Sequence, residues 1–157
     1  MKNVRIAGFL AALMLAAAAT TPVIPAAMAQ NAQGAQRLNP NSATAAQLKS
    51  VPGLNDQLIG EIQKNRPYAG MADFNKLISA RLGADQAKQV YPSLFVPVNL
   101  NTASREEIAL IPGMTPRMVR EFLEYRPYAD MAQFNREIGK YVDAAEVARL
   151  ASYVTLK

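Results

Sequence analysis

The sequence predicts an all-α chain: two tandem copies of one unit, each of four to five short helices, behind an export signal. Three observations predict it. The chain repeats itself at a constant offset, Gly53 to Gly113 and Phe74 to Phe134 both lying 60 residues apart. Each copy carries helix-start and helix-stop residues at short intervals. No stretch of useful length alternates apolar with polar residues, so strands are not expected.

The first element stands outside the repeats. Lys2 and Arg5 precede the apolar run IAGFLAALMLAAAA, and the AMA of residues 27–29 places small side chains before a cleavage point after Ala29. Residues 1–29 therefore read as a signal peptide, which implies a periplasmic or secreted protein. An uncleaved anchor is the alternative, but the run falls short of the roughly 20 residues a span needs. Pro22 and Pro25 also follow it closely. Membrane contact is expected only through an uncleaved leader. Residues 30–37, QNAQGAQR, read as a flexible polar linker.

Residues 38–97 and 98–157 are the two copies. LNPNSATAAQLKSVPGLN at 38–55 is echoed by VNLNTASREEIALIPGMT at 98–115, and RPYAGMADFNKLI at 66–78 by RPYADMAQFNREI at 126–138. In each, a hydroxyl residue (Thr44 or Ser104) precedes an apolar-periodic run, with Gln47 or Glu107 three residues on, the spacing of a capping box. This first helix ends by Pro52 or Pro112, since proline disfavours helix at the residue before it. Gly53 or Gly113 turns the chain, and a second helix starts near Asp56 or Pro116. Its buried stripe is Leu58 and Ile62, matched by Met118, Phe122 and Tyr125. The RPYA segment ends it. A third helix carries Phe74 and Ile78, or Phe134 and Ile138; a fourth carries Ala87 and Val90, or Val147 and Leu150. A fainter half-period sets Gly83 between Gly53 and Gly113, with Asp143 in the fourth place.

Composition removes most chemistry. The chain has no His, Cys or Trp, which excludes His/Cys metal centres, cysteine nucleophiles and His-based triads. It also excludes disulfides and a lipidated N-terminal cysteine, so packing alone must hold the fold. Glu106 with Glu107, or Glu121 with Glu124, are ordinary helix-surface neighbours, and capping accounts for Ser104. No enzyme activity, catalytic residue, cofactor, metal or small-molecule substrate is expected. The net charge of +5 falls to +3 once Lys2 and Arg5 are removed, which is mildly basic.

The motifs V-N-L-N-T-A-S and Pro-Gly-apolar-small-Pro-basic resemble the helix-hairpin-helix domain of ComEA-like competence proteins, exported or membrane-tethered DNA receptors. The resemblance is close from Val98 to about Arg126, weaker at 38–66 and loose elsewhere. It implies two tandem helix-hairpin-helix domains. In that family an apolar-Pro-Gly-apolar-Gly hairpin lets backbone N–H groups approach a DNA phosphate, while the second helix aims its N-terminus at the same oxygen. Carried over, the phosphate-binding residues are Gly113, Met114, Thr115, Arg117 and Arg120, and in the first copy Gly53, Leu54 and Asn55. Such contacts give non-specific, salt-sensitive binding.

The sequence departs from the family at Thr115, in the place of the second glycine. A β-branched residue at positive φ would be strained, so either the turn shifts or the hydroxyl caps the next helix or meets a phosphate. In the first copy Asn55 tolerates positive φ better, but Asp56 and Gln57 replace the proline and the basic residue. The second copy holds eight basic and eight acidic residues, the first six and four, so the better hairpin sits in the less basic half. The small extrinsic lumenal subunit of photosystem II also resembles this fold and docks onto protein. The expected partner is therefore DNA, bound weakly, or an envelope protein on a scaffold that has lost DNA binding. The twin RPYA segments are expected to be structural, with Tyr68 and Tyr128 packed under the loop and Arg66 and Arg126 on carbonyls at the helix end.

Overall fold

Asparagines set the start of each half. Asn39 and Asn99 turn their side-chain oxygens onto the amides of Asn41 and Asn101, at 2.9 Å in both. Asn41 then accepts from the Tyr68 N–H at 2.8 Å and donates to the Tyr68 carbonyl at 3.0 Å. Asn101 does the same to Tyr128, at 2.7 and 3.0 Å. The N-x-N opening is thus a clamp that fastens the start of each copy to its RPYA loop. These contacts come from a computed structural model, which describes residues 37–157. The signal peptide, and the linker apart from Arg37, lie outside the described residues.

Eight helices lie among the described residues, four in each half. The first half holds α1 (Ala45–Lys49), α2 (Asp56–Lys64), α3 (Met71–Leu82) and α4 (Ala84–Val90). The second holds α5 (Arg105–Ala109), α6 (Pro116–Glu124), α7 (Met131–Ile138) and α8 (Ala144–Ala151). They pack in successive pairs, α1 on α2, α3 on α4, α5 on α6 and α7 on α8. None is long and apolar enough to cross a membrane.

Both expected capping boxes form. Thr44 and Ser104 accept from the amides of Gln47 and Glu107, whose side chains return to the cap amides at 2.8 and 3.1 Å. The α2 and α6 starts are also as expected, at Asp56 and Pro116. The absence of strands is not. β1 (Val98–Asn99) pairs in parallel with β2 (Val154–Thr155), Val98 opposite Val154. A single parallel bridge, Leu38 to Leu94, closes the first half at the equivalent place. Elements of two residues are too short to leave an alternating pattern, and what pairs them is the packing of the helices between.

The predicted core positions are buried: Phe74, Ile78, Phe134 and Ile138 are fully so, as are Ile62, Ala87 and Phe122. Tyr125 is the exception, half-buried at the C-cap of α6 with its hydroxyl 2.8 Å from that of Tyr141. Glu121, read as a surface residue, is buried instead. Tyr68 and Tyr128 are buried, and Arg66 and Arg126 donate to the carbonyls of Ala43 and Ala103 at 2.5 and 2.8 Å. The RPYA segment is therefore structural and its tyrosines are packed, as expected, but the arginines reach the carbonyls just ahead of the N-caps of α1 and α5 rather than those at the ends of α2 and α6.

One hydrophobic cluster runs through both halves. Phe95, at the end of the first, meets Tyr91 edge-on at 6.1 Å between centroids and Tyr153 of the second at 4.9 Å. Glu107 accepts from the Ala72 amide at the start of α3 (3.2 Å). Arg37, placed in the linker from sequence, belongs to the folded body. It donates to the carbonyls of Pro92 (3.0 Å) and Ser152 (3.1 Å), and its guanidinium lies 3.1 Å from the Tyr153 ring centroid. This burial lowers its pKa, an effect the Tyr153 contact partly offsets.

Candidate functional site

The second hairpin begins where α5 stops. Ile111, 1 % exposed, anchors it to the core; Pro112 follows, and Gly113 takes φ +77, the left-handed region that favours glycine. The Met114 amide then closes the turn onto the Ile111 carbonyl at 3.1 Å. Thr115 adopts φ −97, ψ 157 and caps α6, its hydroxyl accepting from the Met118 amide at 3.2 Å. Thr115 is therefore extended and unstrained, and of the alternatives open from sequence, helix capping is the one the fold adopts. Pro116 occupies the first helical position, where a missing N–H costs nothing.

With Met114, Met118 and Val119 bonded internally, the amides of Gly113, Thr115 and Arg117 have no acceptor among the described residues. All three residues are exposed. These donors stand at the positive end of a nine-residue helix, an arrangement suited to an oxyanion.

The first hairpin has the same backbone. Gly53 takes φ +88, the Leu54 amide bonds the Val51 carbonyl at 3.4 Å, and Asn55 (φ −104) caps α2 through the Leu58 amide at 2.8 Å. The tolerance of Asn55 for positive φ is thus not called on. The amides of Gly53, Asn55 and Gln57 are left without acceptors among the described residues. Asp56 brings a carboxylate to the helix start, paired with Lys49 at 3.0 Å. Of the fainter joints, Gly83 keeps positive φ at +82, whereas Asp143 lies at φ −72 as an ordinary N-cap.

The cations are arranged differently from expectation. Arg117 and Arg120 are exposed and in no ion pair among the described residues, but the Arg117 guanidinium leans over the Tyr141 ring at 5.3 Å. The cation beside the glycine is Arg149 of α8, whose Nη2 lies 3.2 Å from where a Cβ on Gly113 would stand. Glu146 grips it at 2.6 and 2.7 Å, which raises the pKa of the guanidinium and lowers that of the carboxyl. Lys88, from the first half, lines a cleft with Gly113 and Met114. Neither Arg149 nor Lys88 could be found from sequence, because only tertiary packing brings them to the hairpin. Glu107 carries no acid/base arrangement: its two oxygens accept from the amides of Ser104 and Ala72.

Comparison with protein-family models, with characterised proteins and with solved structures finds no match to this chain.

Proposed function

We propose that this chain is an exported protein of two tandem helix-hairpin-helix domains, of the ComEA-like competence type, that binds the DNA backbone weakly and without sequence preference. The observation that supports the reading is the set of amides at Gly113, Thr115 and Arg117, on exposed residues at the N-terminus of α6 and without an acceptor among the described residues. They would share one phosphate oxygen, with Met114 shaping the turn and Arg117 and Arg120 supplying formal charge. The hairpin of Gly53, Leu54 and Asn55 would add a weaker contact, because the Asp56 carboxylate stands beside it. Its place of work would be the periplasm or the exterior.

Two or three phosphate contacts, each adding about −0.9 to the log–log salt slope, would give a slope of about −2 to −3. The affinity would lie near the weak end of the roughly 10⁻⁴ to 10⁻⁶ M non-specific range. Titrating short duplex DNA at two salt concentrations tests this. Binding is expected to weaken with salt along that slope and to be lost in Arg117→Glu. Binding indifferent to salt and to Arg117→Glu would sink the mechanism.

The charge balance favours a second reading, since the half with the better hairpin has eight basic and eight acidic residues. Under it the scaffold is an envelope interaction module that docks a protein. A partner retained by Arg117→Glu and Arg120→Glu variants, with no DNA binding at low salt, would establish that reading in place of the first.

A further inference from the structure

The chain contains one built copy of an interface whose two sides its sequence supplies twice. In the first half, the outer face of α3 and α4 is covered by the beginning of the second half. Lys88 and Tyr91 share a cleft with Ala109, Ile111 and Met114, and the Ala72 amide donates to Glu107 at 3.2 Å. Sixty residues on, no described residue covers the corresponding face of α7 and α8: it is a shallow groove lined by Gly139, Val142, Ala144, Val147, Ala148 and Ala151. Ala148 and Ala151 stand there in the places of Lys88 and Tyr91. At the opposite end, the segment corresponding to the one that covers α4 is uncovered by any described residue, and Gln47 and Pro52 are exposed where Glu107 and Pro112 are half-buried.

We infer that a second copy of this chain docks its first hairpin into the α7–α8 groove, so that the protein associates head to tail. The contact is a repetition of the one already made inside the chain, and three correspondences single out this occupant. The first is size. Lys88 and Ala109 line one cleft; between copies Ala148 and Lys49 would take their places, with large and small exchanged across the seam. The second is apolar filling. Ala151 leaves open the space that Tyr91 fills, and Leu54, half-buried, takes the place of Met114.

The third is polar. Glu107 uses one oxygen on its own capping box and the other on the start of α3. Gln47 uses its oxygen on its own box, accepting from the Thr44 amide at 2.8 Å, and its NH₂ group has no acceptor among the described residues. A side chain built at Gly70 would run into Glu107. The residue in the place of Gly70 is Asp130, which uses Oδ1 to cap α7 at the Gln133 amide (2.7 Å) and keeps Oδ2 for a donor. Donor and acceptor have thus changed sides together, from Glu107 accepting out of α3 to Gln47 donating towards α7.

A contact of this kind joins unlike surfaces and does not close on itself, so it builds open rows rather than a two-fold dimer. It also leaves the hairpin donors free, because Gly113, Thr115 and Arg117 remain exposed although their hairpin already sits against α4. The inference is independent of what those donors bind.

The chain has no cysteine, so directed disulfides report the contact without background. Full-length Lys49→Cys and Ala148→Cys proteins are oxidised separately and mixed. A covalent dimer is expected in the mixture, well above its level in either protein alone. The weight-average mass of the unaltered chain in sedimentation is expected to rise with concentration from the monomer through the dimer without a plateau there. Ala148→Glu, at an exposed position, should hold the mass at the monomer with an unchanged melting curve. No more cross-link in the mixture than in the separate proteins overturns the inference, as does a mass that stays monomeric or a rise that Ala148→Glu leaves intact.

Discussion

Gly113 and Thr115, two residues apart, divide the construction of the second hairpin between them. Gly113 takes the one backbone conformation there that a side chain resists, and Thr115 supplies the cap that starts α6. The resemblance invites the reading that Thr115 replaces a required glycine, and the dihedrals show why no requirement exists: of the two residues, Gly113 has positive φ and Thr115 does not. Gly113→Ala is therefore expected to destabilise the chain by about 1–2 kcal/mol for the left-handed conformation alone. Crowding adds to this, since the new Cβ would lie 3.2 Å from Arg149. Gly53→Ala meets the same backbone demand at φ +88, but its Cβ would find only Val90, at an ordinary 3.9 Å. Denaturant titration of the two variants should rank Gly113→Ala as the more harmful. Equal losses would mean that Arg149 swings aside without cost.

At the scale of elements, what was legible in the sequence was what is decided locally. The capping boxes at Thr44 and Ser104, the proline start of α6 and the apolar stripes of α2 and α7 are each written within a few residues, and each forms. What is decided by distant packing was not legible. The two-residue β1–β2 pair, the burial of Glu121 and the placing of Arg149 against Gly113 depend on elements far away in sequence. The ends of α7 and α8 also carry a pH dependence that follows from such pairing. Glu137 is held below its ordinary value of 4.5 by a hydrogen bond from Lys140, with Arg136 assisting, and Glu146 by Arg149. Carboxyls whose folded pKa is depressed stabilise the fold above their unfolded pKa, and that contribution is lost as pH falls through the folded value. Melting temperature should hence be flat with respect to these two groups from neutrality down to about pH 5, then fall below about 4.5. Glu137→Gln with Glu146→Gln should lower the neutral melting temperature and flatten the acid limb. An unchanged acid limb in the double variant would assign the loss to other carboxyls.

For the whole molecule the question is whether the two halves unfold together. Each closes on itself, through Leu38 with Leu94 or Val98 with Val154, which by itself would allow independent melting. Against that stand the contacts that cross between them. Phe95 is 1 % exposed and sits between Tyr91 of its own half and Tyr153 of the other, while Arg37 reaches from the first residues of the body to Ser152 and Tyr153 at its end. The hydrophobic cluster is continuous across this seam, so opening one half exposes the apolar face of the other. We therefore expect a single cooperative transition, with calorimetric and van't Hoff enthalpies in agreement. Phe95→Ala should cost about 3–5 kcal/mol, the range for an emptied aromatic site in a packed core. The diagnostic result is how that loss is distributed. If the halves are coupled through Phe95, amide exchange in α2 and in α6 should accelerate by similar factors, since both helices would then open only through the global transition. Acceleration confined to the first half, with α6 still protected, would show that the seam is an adhesion between two self-sufficient units rather than part of one core.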